Sequence, residues 1–165
     1  MNDKRFQNVM TVTVIIIVSS WLSHAGAQAT DWESVDSGRY LIRIMGCNDC
    51  HTPGYLETEG QTPEELWLTG STFGWRGPWG TTYPKNLRIL LHSLTEDQWV
   101  VFAKNLKTRP PMPWFNLNAM KDEDLRAVYK FVHHLGPGGA AAPAYLPPDK
   151  EPDPPYAVFP SPPPQ

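Results

Sequence analysis

The five residues Cys47-Asn48-Asp49-Cys50-His51 determine how the rest of this chain is interpreted. They include the only two cysteines of the 165-residue sequence, and a histidine follows the second cysteine directly. The C-x-x-C-H spacing is the attachment signature of c-type haem, because two thiols one helical turn apart can each add to a haem vinyl group. The histidine then lies where its imidazole can bind the iron as proximal ligand. The motif therefore predicts one covalently attached haem c on Cys47, Cys50 and His51.

Three other sites can also use a Cys-x-x-Cys pair. A thioredoxin-like redox pair needs a βαβ context, and no strand-like run precedes Cys47. A structural zinc site needs four ligands, and the chain has no second cysteine pair. A disulfide between Cys47 and Cys50 is compatible with an exported protein, but it gives His51 no role. Covalent haem uses all three side chains and is favoured.

Residues 1–27 have the pattern of a secretory signal peptide. A basic start (residues 1–8) precedes an apolar run (residues 9–22), and Ala27 and Ala29 each end a small-x-small cleavage pattern. The apolar run is shorter than the roughly 18 residues of a membrane-spanning helix, so cleavage is favoured over an uncleaved anchor. The sequence predicts a periplasmic protein without a membrane span after cleavage, in a compartment suited to cysteine chemistry.

The composition limits the classes of partner. The formal net charge is −3, and cleavage removes two cations and one anion, which makes the mature protein one unit more acidic. Nucleic-acid binding requires a strong basic excess, so it is not expected. Seven tryptophans and 12% aromatic residues suit the walls of a cofactor pocket.

Three helices are expected from local patterns. Residues 31–46 lead into the haem motif, Thr95 and Gln98 form a capping box that begins a second helix, and residues 122–135 have the clearest amphipathic spacing. Residues 52–94 contain many turn residues and are interpreted as a long loop that wraps the cofactor, with a helical turn near residues 64–68.

A change in composition at residue 137 marks the end of the haem domain. Eleven of the eighteen prolines follow it, which predicts an extended tail over residues 137–165. Three aromatic residues among these prolines (Tyr145, Tyr156 and Phe159) favour contact of part of the tail with the domain surface. The predicted division is a signal peptide (1–27), a haem domain (28–136) and this tail.

The second axial ligand determines what a c-type haem can do, since methionine favours electron transfer and an open site permits ligand chemistry. The mature chain offers six candidates: Met45, Met112, Met120, His92, His133 and His134. Met112 is favoured because Pro111 and Pro113 hold its backbone extended and limit its entropy. His92 is the main competitor. Met45 lies just before the attachment motif, on the wrong side of the iron.

Several motifs resemble class I c-type cytochromes, and in particular the haem domains of cytochrome subunits of bacterial alcohol, aldehyde and gluconate dehydrogenases. The resemblance covers about residues 34–136 and is carried by Gly38–Leu41, Gly46–Pro53, Gly80–Leu87, Pro111–Trp114 and Asp122–Tyr129. Those subunits usually carry three haem domains, whereas this chain has one. Lys121 also departs from the family, which commonly has Ser or Thr there as the helix cap.

The resemblance implies an all-α cytochrome c fold, in which the first and last helices cross near Gly38 and Tyr129. A middle helix and a long haem-wrapping loop complete this fold, and the Pro-rich tail extends from it. In the family a proline carbonyl accepts the N–H of the proximal imidazole, and Pro78 is the matching position for His51. The same resemblance implies a site made of Cys47, Cys50, His51, Met112 and Pro78.

The expected function is that of a periplasmic monohaem cytochrome, an electron carrier rather than an enzyme. It would link a dehydrogenase or other donor to an oxidase or cytochrome acceptor. Two alternatives are a haem enzyme or gas or redox sensor with an open distal site, and a small accessory subunit docked on a dehydrogenase through its tail. Five basic residues are expected either to ring the haem edge or to be ordinary surface charges: Lys85, Arg88, Lys104, Lys107 and Arg109.

Overall fold

A computed structural model describes residues 32–160 of the chain. The predicted signal peptide and both of its cleavage sites lie outside the described residues. Residues 35–165 form one compact unit, and the description below concerns this unit together with residues 32–34, where its first helix begins. No helix in the part of the chain that is described is long and apolar enough to cross a membrane.

Six α-helices are present within residues 32–160. They are α1 (residues 32–44), α2 (Cys47–His51), α3 (Leu87–His92), α4 (Glu96–Asn105), α5 (Trp114–Ala119) and α6 (Asp122–Leu135). The helices expected before the motif, at the capping box and at residues 122–135 are confirmed, and a 3₁₀ turn forms at Glu64–Leu66. The three short helices α2, α3 and α5 were not predicted as separate helices.

A three-stranded sheet corrects the all-α prediction, which is wrong. Strands β1 (Gly74–Gly77) and β2 (Gly80–Thr82) form an antiparallel hairpin, and β3 (Tyr156–Val158) pairs with β1 in parallel, so the strand order is β2-β1-β3. The strands are three or four residues long and the hairpin contains three glycines, so no alternating pattern was available in the sequence.

Helices α1 and α6 cross at Gly38, as the resemblance implied. A Cβ atom at Gly38 would lie 2.1 Å from the carbonyl oxygen of Ala127 and 2.7 Å from Cβ of Phe131, so only glycine permits this approach. The apolar face of α6 packs there and against α3 and α4. Its fully buried side chains are Leu125, Phe131 and Val132. This packing forms the core beside which the haem motif lies.

The described part of the tail, residues 137–160, lies against the domain. Its β3 strand extends the sheet, and Leu146 forms a separate bridge with Thr81 of β2. The Tyr145 hydroxyl donates a hydrogen bond to the Trp79 carbonyl at 2.9 Å, and the Phe159 ring contacts the Trp79 ring at 5.3 Å between centroids. The contact expected from the aromatic residues of the tail is therefore present.

Candidate haem-attachment site

The two cysteines lie on one short helix that is aligned by a glycine turn. Gly46 precedes α2 with a left-handed backbone (φ 67°, ψ 25°), a conformation that favours glycine. Cys47 and Cys50 follow one turn apart, and both are free thiols. Burial raises the pKa of the Cys47 thiol to about 12 and also raises the pKa of Cys50. Reactive Cys-x-x-Cys pairs have a lowered thiol pKa, so a raised pKa at both thiols disfavours a thioredoxin-like role.

His51 is buried, and its ring has one nitrogen engaged by the backbone. Nδ1 lies 2.7 Å from the carbonyl oxygen of Lys85. A carbonyl only accepts, so Nδ1 carries the proton and donates, and the lone pair of the ring is on Nε2. Burial lowers the pKa of His51, which keeps the imidazole neutral. A neutral imidazole with Nδ1–H bonded to a carbonyl is the form that binds a metal through Nε2.

The carbonyl that accepts the hydrogen bond from His51 belongs to Lys85 and not to Pro78. Pro78 lies exposed in the turn between β1 and β2, so the prediction that its carbonyl accepts from His51 is wrong. The extended segment around Lys85 is instead held in place by a hydrogen bond from the Ser71 amide to the Pro84 carbonyl at 3.1 Å. A backbone acceptor has no side-chain signature, so the sequence does not single out Lys85.

Backbone hydrogen bonds join three segments around His51, and we call residues 48–52, 68–70 and 84–87 the proximal frame. The Gly70 amide donates to the His51 carbonyl at 2.8 Å. The Leu87 amide donates to the Leu68 carbonyl at 3.0 Å, which joins the second segment to the third. Gly70 has a left-handed backbone, and a Cβ there would lie 2.7 Å from the Asn86 nitrogen. The segments can approach this closely only because residue 70 is glycine.

Asn48 lies between the two cysteines and is fully buried. Its Oδ1 accepts from the Thr52 hydroxyl at 2.7 Å, and that hydroxyl oxygen accepts from the Leu68 amide at 2.8 Å. The Asn48 Nδ2 donor has no partner among the described residues, and Trp79 Nε1 in the hairpin turn is a second such donor. A buried donor of this kind requires an explanation, and a polar group of a bound cofactor supplies one.

The residues of the motif therefore fit a covalently attached haem. Two free thiols lie one turn apart, the adjacent imidazole presents Nε2, and an unpaired amide donor lies between the thiols. Cys47, Cys50 and His51 would hold the group. Within residues 32–160, no group of three or more His, Cys, Asp or Glu side chains is arranged to hold a metal ion by itself.

Met112 lies on a different segment, between α4 and α5, and is half-buried. Its carbonyl accepts from the Trp114 amide at 2.9 Å, and the Thr82 hydroxyl donates to the Pro110 carbonyl at 2.9 Å. The segment is therefore fastened to the end of β2 two residues before the methionine. Pro111 and Pro113 flank the methionine, and neither has a backbone N–H that could donate a hydrogen bond.

The other candidate axial ligands have structural contacts of their own. His92 Nδ1 contacts the Arg88 carbonyl at 2.8 Å, and its ring stacks on His133 with 4.2 Å between centroids. His133 also contacts the Leu91 carbonyl through Nε2 at 3.2 Å, so it is more than a solvated residue at the helix end. Met120 is buried in the core and Met45 lies exposed in the turn after α1. These contacts do not decide between the candidates, and Met112 as the second axial ligand stays a prediction.

Two of the five basic residues are engaged within the domain. Arg88 is only 5% exposed, and its guanidinium donates to the backbone carbonyls of Glu65, Leu135, Gly136 and Pro137. Lys104 pairs with Asp122 at 3.2 Å and with the Met120 carbonyl. Lys85, Lys107 and Arg109 are exposed, and Arg109 lies over the Tyr145 ring. Arg88 is therefore part of the domain interior and is excluded from any docking surface.

Comparison of this chain with protein-family models, with curated proteins and with solved structures found no match. The function of the site is accordingly inferred from its own residues and their geometry.

Proposed function

We propose that this protein is a periplasmic monohaem c-type cytochrome that transfers single electrons and catalyses no bond chemistry. The hydrogen bond from His51 Nδ1 to the Lys85 carbonyl is the observation that supports this most directly. It directs Nε2 of the histidine away from the backbone acceptor, immediately after the two free thiols. A plain disulfide or a redox-active thiol pair would have no use for an imidazole held in this way.

Each residue of the site has a separate role in this proposal. Cys47 and Cys50 would hold the group through thioether bonds, His51 would supply the proximal nitrogen, and Met112 would supply the distal sulfur. The haem supplies the one-electron chemistry when bound. The hydrogen bond to Lys85 fixes the orientation of the imidazole and raises its basicity, which favours the oxidised state. Met112 as the second ligand would have the contrary effect and would raise the reduction potential.

The proposed partners are redox proteins, with a dehydrogenase or other donor on one side and an oxidase or cytochrome acceptor on the other. Of the five basic residues singled out above, Lys85, Lys107 and Arg109 are exposed and available for docking. The resemblance to haem domains of dehydrogenase cytochrome subunits supports this partner class. The single C-x-x-C-H motif favours a free carrier or a small accessory subunit.

The first test is the spectrum of the oxidised protein after periplasmic expression. We expect a covalent haem by mass, and a weak sulfur-to-iron charge-transfer band in the far-red region. Met112→Ala should abolish the band and allow the reduced protein to bind carbon monoxide, because the distal sulfur is lost. Met45→Ala is the matched control, since it removes an exposed methionine near the motif and should leave the band intact.

Three outcomes would contradict the proposal or part of it. A wild-type protein that carries no covalent haem, or one whose haem attachment survives Cys47→Ser together with Cys50→Ser, would exclude the assigned attachment site. A wild-type protein with covalent haem but without the charge-transfer band would exclude Met112 as ligand. In that case a haem enzyme or sensor with an open distal site becomes the better assignment.

A further inference from the structure

The tail is connected to the proximal frame through a single buried amide. Asn86 is only 5% exposed, and its Nδ2 donates to the carbonyls of Gly138 at 2.8 Å and Ala140 at 3.1 Å. These two residues begin the Pro-rich tail, directly after the end of α6. Both hydrogen atoms of the amide are therefore used to hold the tail.

The other end of the same amide begins α3. Asn86 Oδ1 accepts from the Ile89 amide at 3.0 Å, which is an N-cap interaction. Since its oxygen is fixed by α3 and its nitrogen by the tail, the Asn86 side chain has little freedom to reorient. Asn86 is thus held by one neighbouring segment, the start of α3, and by one segment distant in sequence, the start of the tail.

Asn86 is covalently linked through its backbone nitrogen to the Lys85 carbonyl group, which accepts the hydrogen bond from His51. The Lys85 carbonyl oxygen lies in the same planar peptide unit as the nitrogen and Cα of Asn86. A rotation of Asn86 therefore moves the Lys85 oxygen, which lies 2.7 Å from His51 Nδ1. Gly70 also packs against this peptide, since a Cβ there would lie 3.0 Å from the Lys85 carbonyl carbon. The tail and Gly70 together fix the direction of this acceptor.

We propose that Asn86 is a positioning residue, and that the tail acts through it to hold the Lys85 carbonyl against His51. This inference rests on the proposed function, because its consequence concerns an imidazole bound to haem iron. A well-aligned acceptor makes the imidazole more basic and lowers the reduction potential. The Pro-rich tail is therefore a determinant of the potential of the site, in addition to being a cover for the sheet.

Two variants break the connection from opposite sides. Asn86→Ser keeps a good N-cap acceptor for α3, adds no charge, and replaces the two N–H donors to the tail by a single hydroxyl on a shorter side chain. Gly139→Ala keeps asparagine at residue 86 and displaces the tail. A Cβ at Gly139 would lie 2.9 Å from Asn86 Nδ2 and 2.8 Å from Cβ of Thr69. Gly136→Ala is the matched control: its backbone is also left-handed, but an added Cβ meets nothing within 4 Å.

The variants are compared in the haem-loaded protein by two measurements. The first is hydrogen exchange of the His51 Nδ1 proton by NMR in the reduced state, which reports the hydrogen bond independently of electron transfer. The second is the reduction potential. We expect severalfold faster exchange in Asn86→Ser and Gly139→Ala, and a severalfold lower oxidised-to-reduced ratio at a fixed ambient potential. Gly136→Ala should match the wild type in both measurements.

The outcomes separate this inference from the proposed function. Absence of covalent haem in the wild type contradicts the proposed function itself. Normal haem attachment with unchanged proton exchange and potential in both Asn86→Ser and Gly139→Ala overturns the positioning role alone. Equal shifts in all three variants, including Gly136→Ala, would also overturn it, because they would show a general loss of stability.

Discussion

The two proposed axial ligands, His51 and Met112, are held by different physical means. His51 lies in the proximal frame, where backbone amides, backbone carbonyls and the buried Thr52 hydroxyl satisfy one another. Met112 lies between two prolines, and the Thr82 hydroxyl donates a hydrogen bond to the nearby Pro110 carbonyl. The first arrangement depends on buried hydrogen bonds, whereas the second depends on the covalent stiffness of proline rings.

This difference predicts different consequences of mutation on the two sides. A buried donor or acceptor that loses its partner costs about 1–3 kcal/mol, so damage to the proximal frame should reduce the free energy of unfolding. An exposed hydrogen bond can be replaced by water, so damage near Met112 should mainly affect how easily the methionine leaves the iron. The histidine side should therefore determine stability, and the methionine side should determine ligand exchange.

The largest effect is expected for Gly70→Ala in the proximal frame. The variant places a Cβ 2.7 Å from the Asn86 nitrogen on a left-handed backbone, so strain and steric clash should together lower the free energy of unfolding by about 3 kcal/mol. Gly54→Ala is the control, since Gly54 is also left-handed but an added Cβ meets nothing within 4 Å. Denaturant unfolding measures both variants. Equal losses would show that the close approach of the two segments contributes nothing.

Thr52→Val tests the buried hydroxyl of the same frame while it conserves the shape of the side chain. It leaves the Leu68 amide without its acceptor and Asn48 Oδ1 without its donor, and it should cost about 2 kcal/mol. Thr69→Val removes a hydroxyl whose bond to the Leu66 carbonyl is exposed, so its cost should stay within about 0.5 kcal/mol. Unfolding midpoints that coincide in the two variants would contradict the difference between buried and exposed bonds.

The parts of the fold that could be predicted were those with local signals. Helix α6 was predicted because its apolar residues recur at 3-4 spacing and three acids occupy its first turn. Helix α4 was predicted from Thr95 and Gln98, and both hydrogen bonds of this capping box are present. Strand β3 was missed because it belongs to a Pro-rich segment, and its partner β1 lies some eighty residues earlier in the chain. Nothing local indicates such a pairing.

The same distinction applies to the candidate site. Cys47, Cys50 and His51 could be proposed as haem-attachment residues because the predicted chemistry belongs to their side chains and their spacing is specific. The acceptor for His51 was assigned to the wrong residue, since any residue can present a carbonyl and only the path of the chain selects Lys85. Asn86 was missed, although the sequence contained a signal for it. An asparagine directly before a short apolar run is a usual helix N-cap.

Among the three test variants, as distinct from their controls, Thr82→Val on the Met112 side is expected to have the smallest effect on stability. The variant removes the hydrogen bond to the Pro110 carbonyl and should lower the free energy of unfolding by no more than about 1 kcal/mol. A loosened segment should nevertheless release the methionine sulfur more often, so cyanide should replace it on the oxidised iron severalfold faster. Stopped-flow spectroscopy measures this replacement.

Thr81→Val is the control, because Thr81 is buried in the same strand and only a long 3.5 Å contact from Arg76 reaches its hydroxyl. Equal acceleration in the control, or a large loss of stability in Thr82→Val, would show that the two axial sides are held alike.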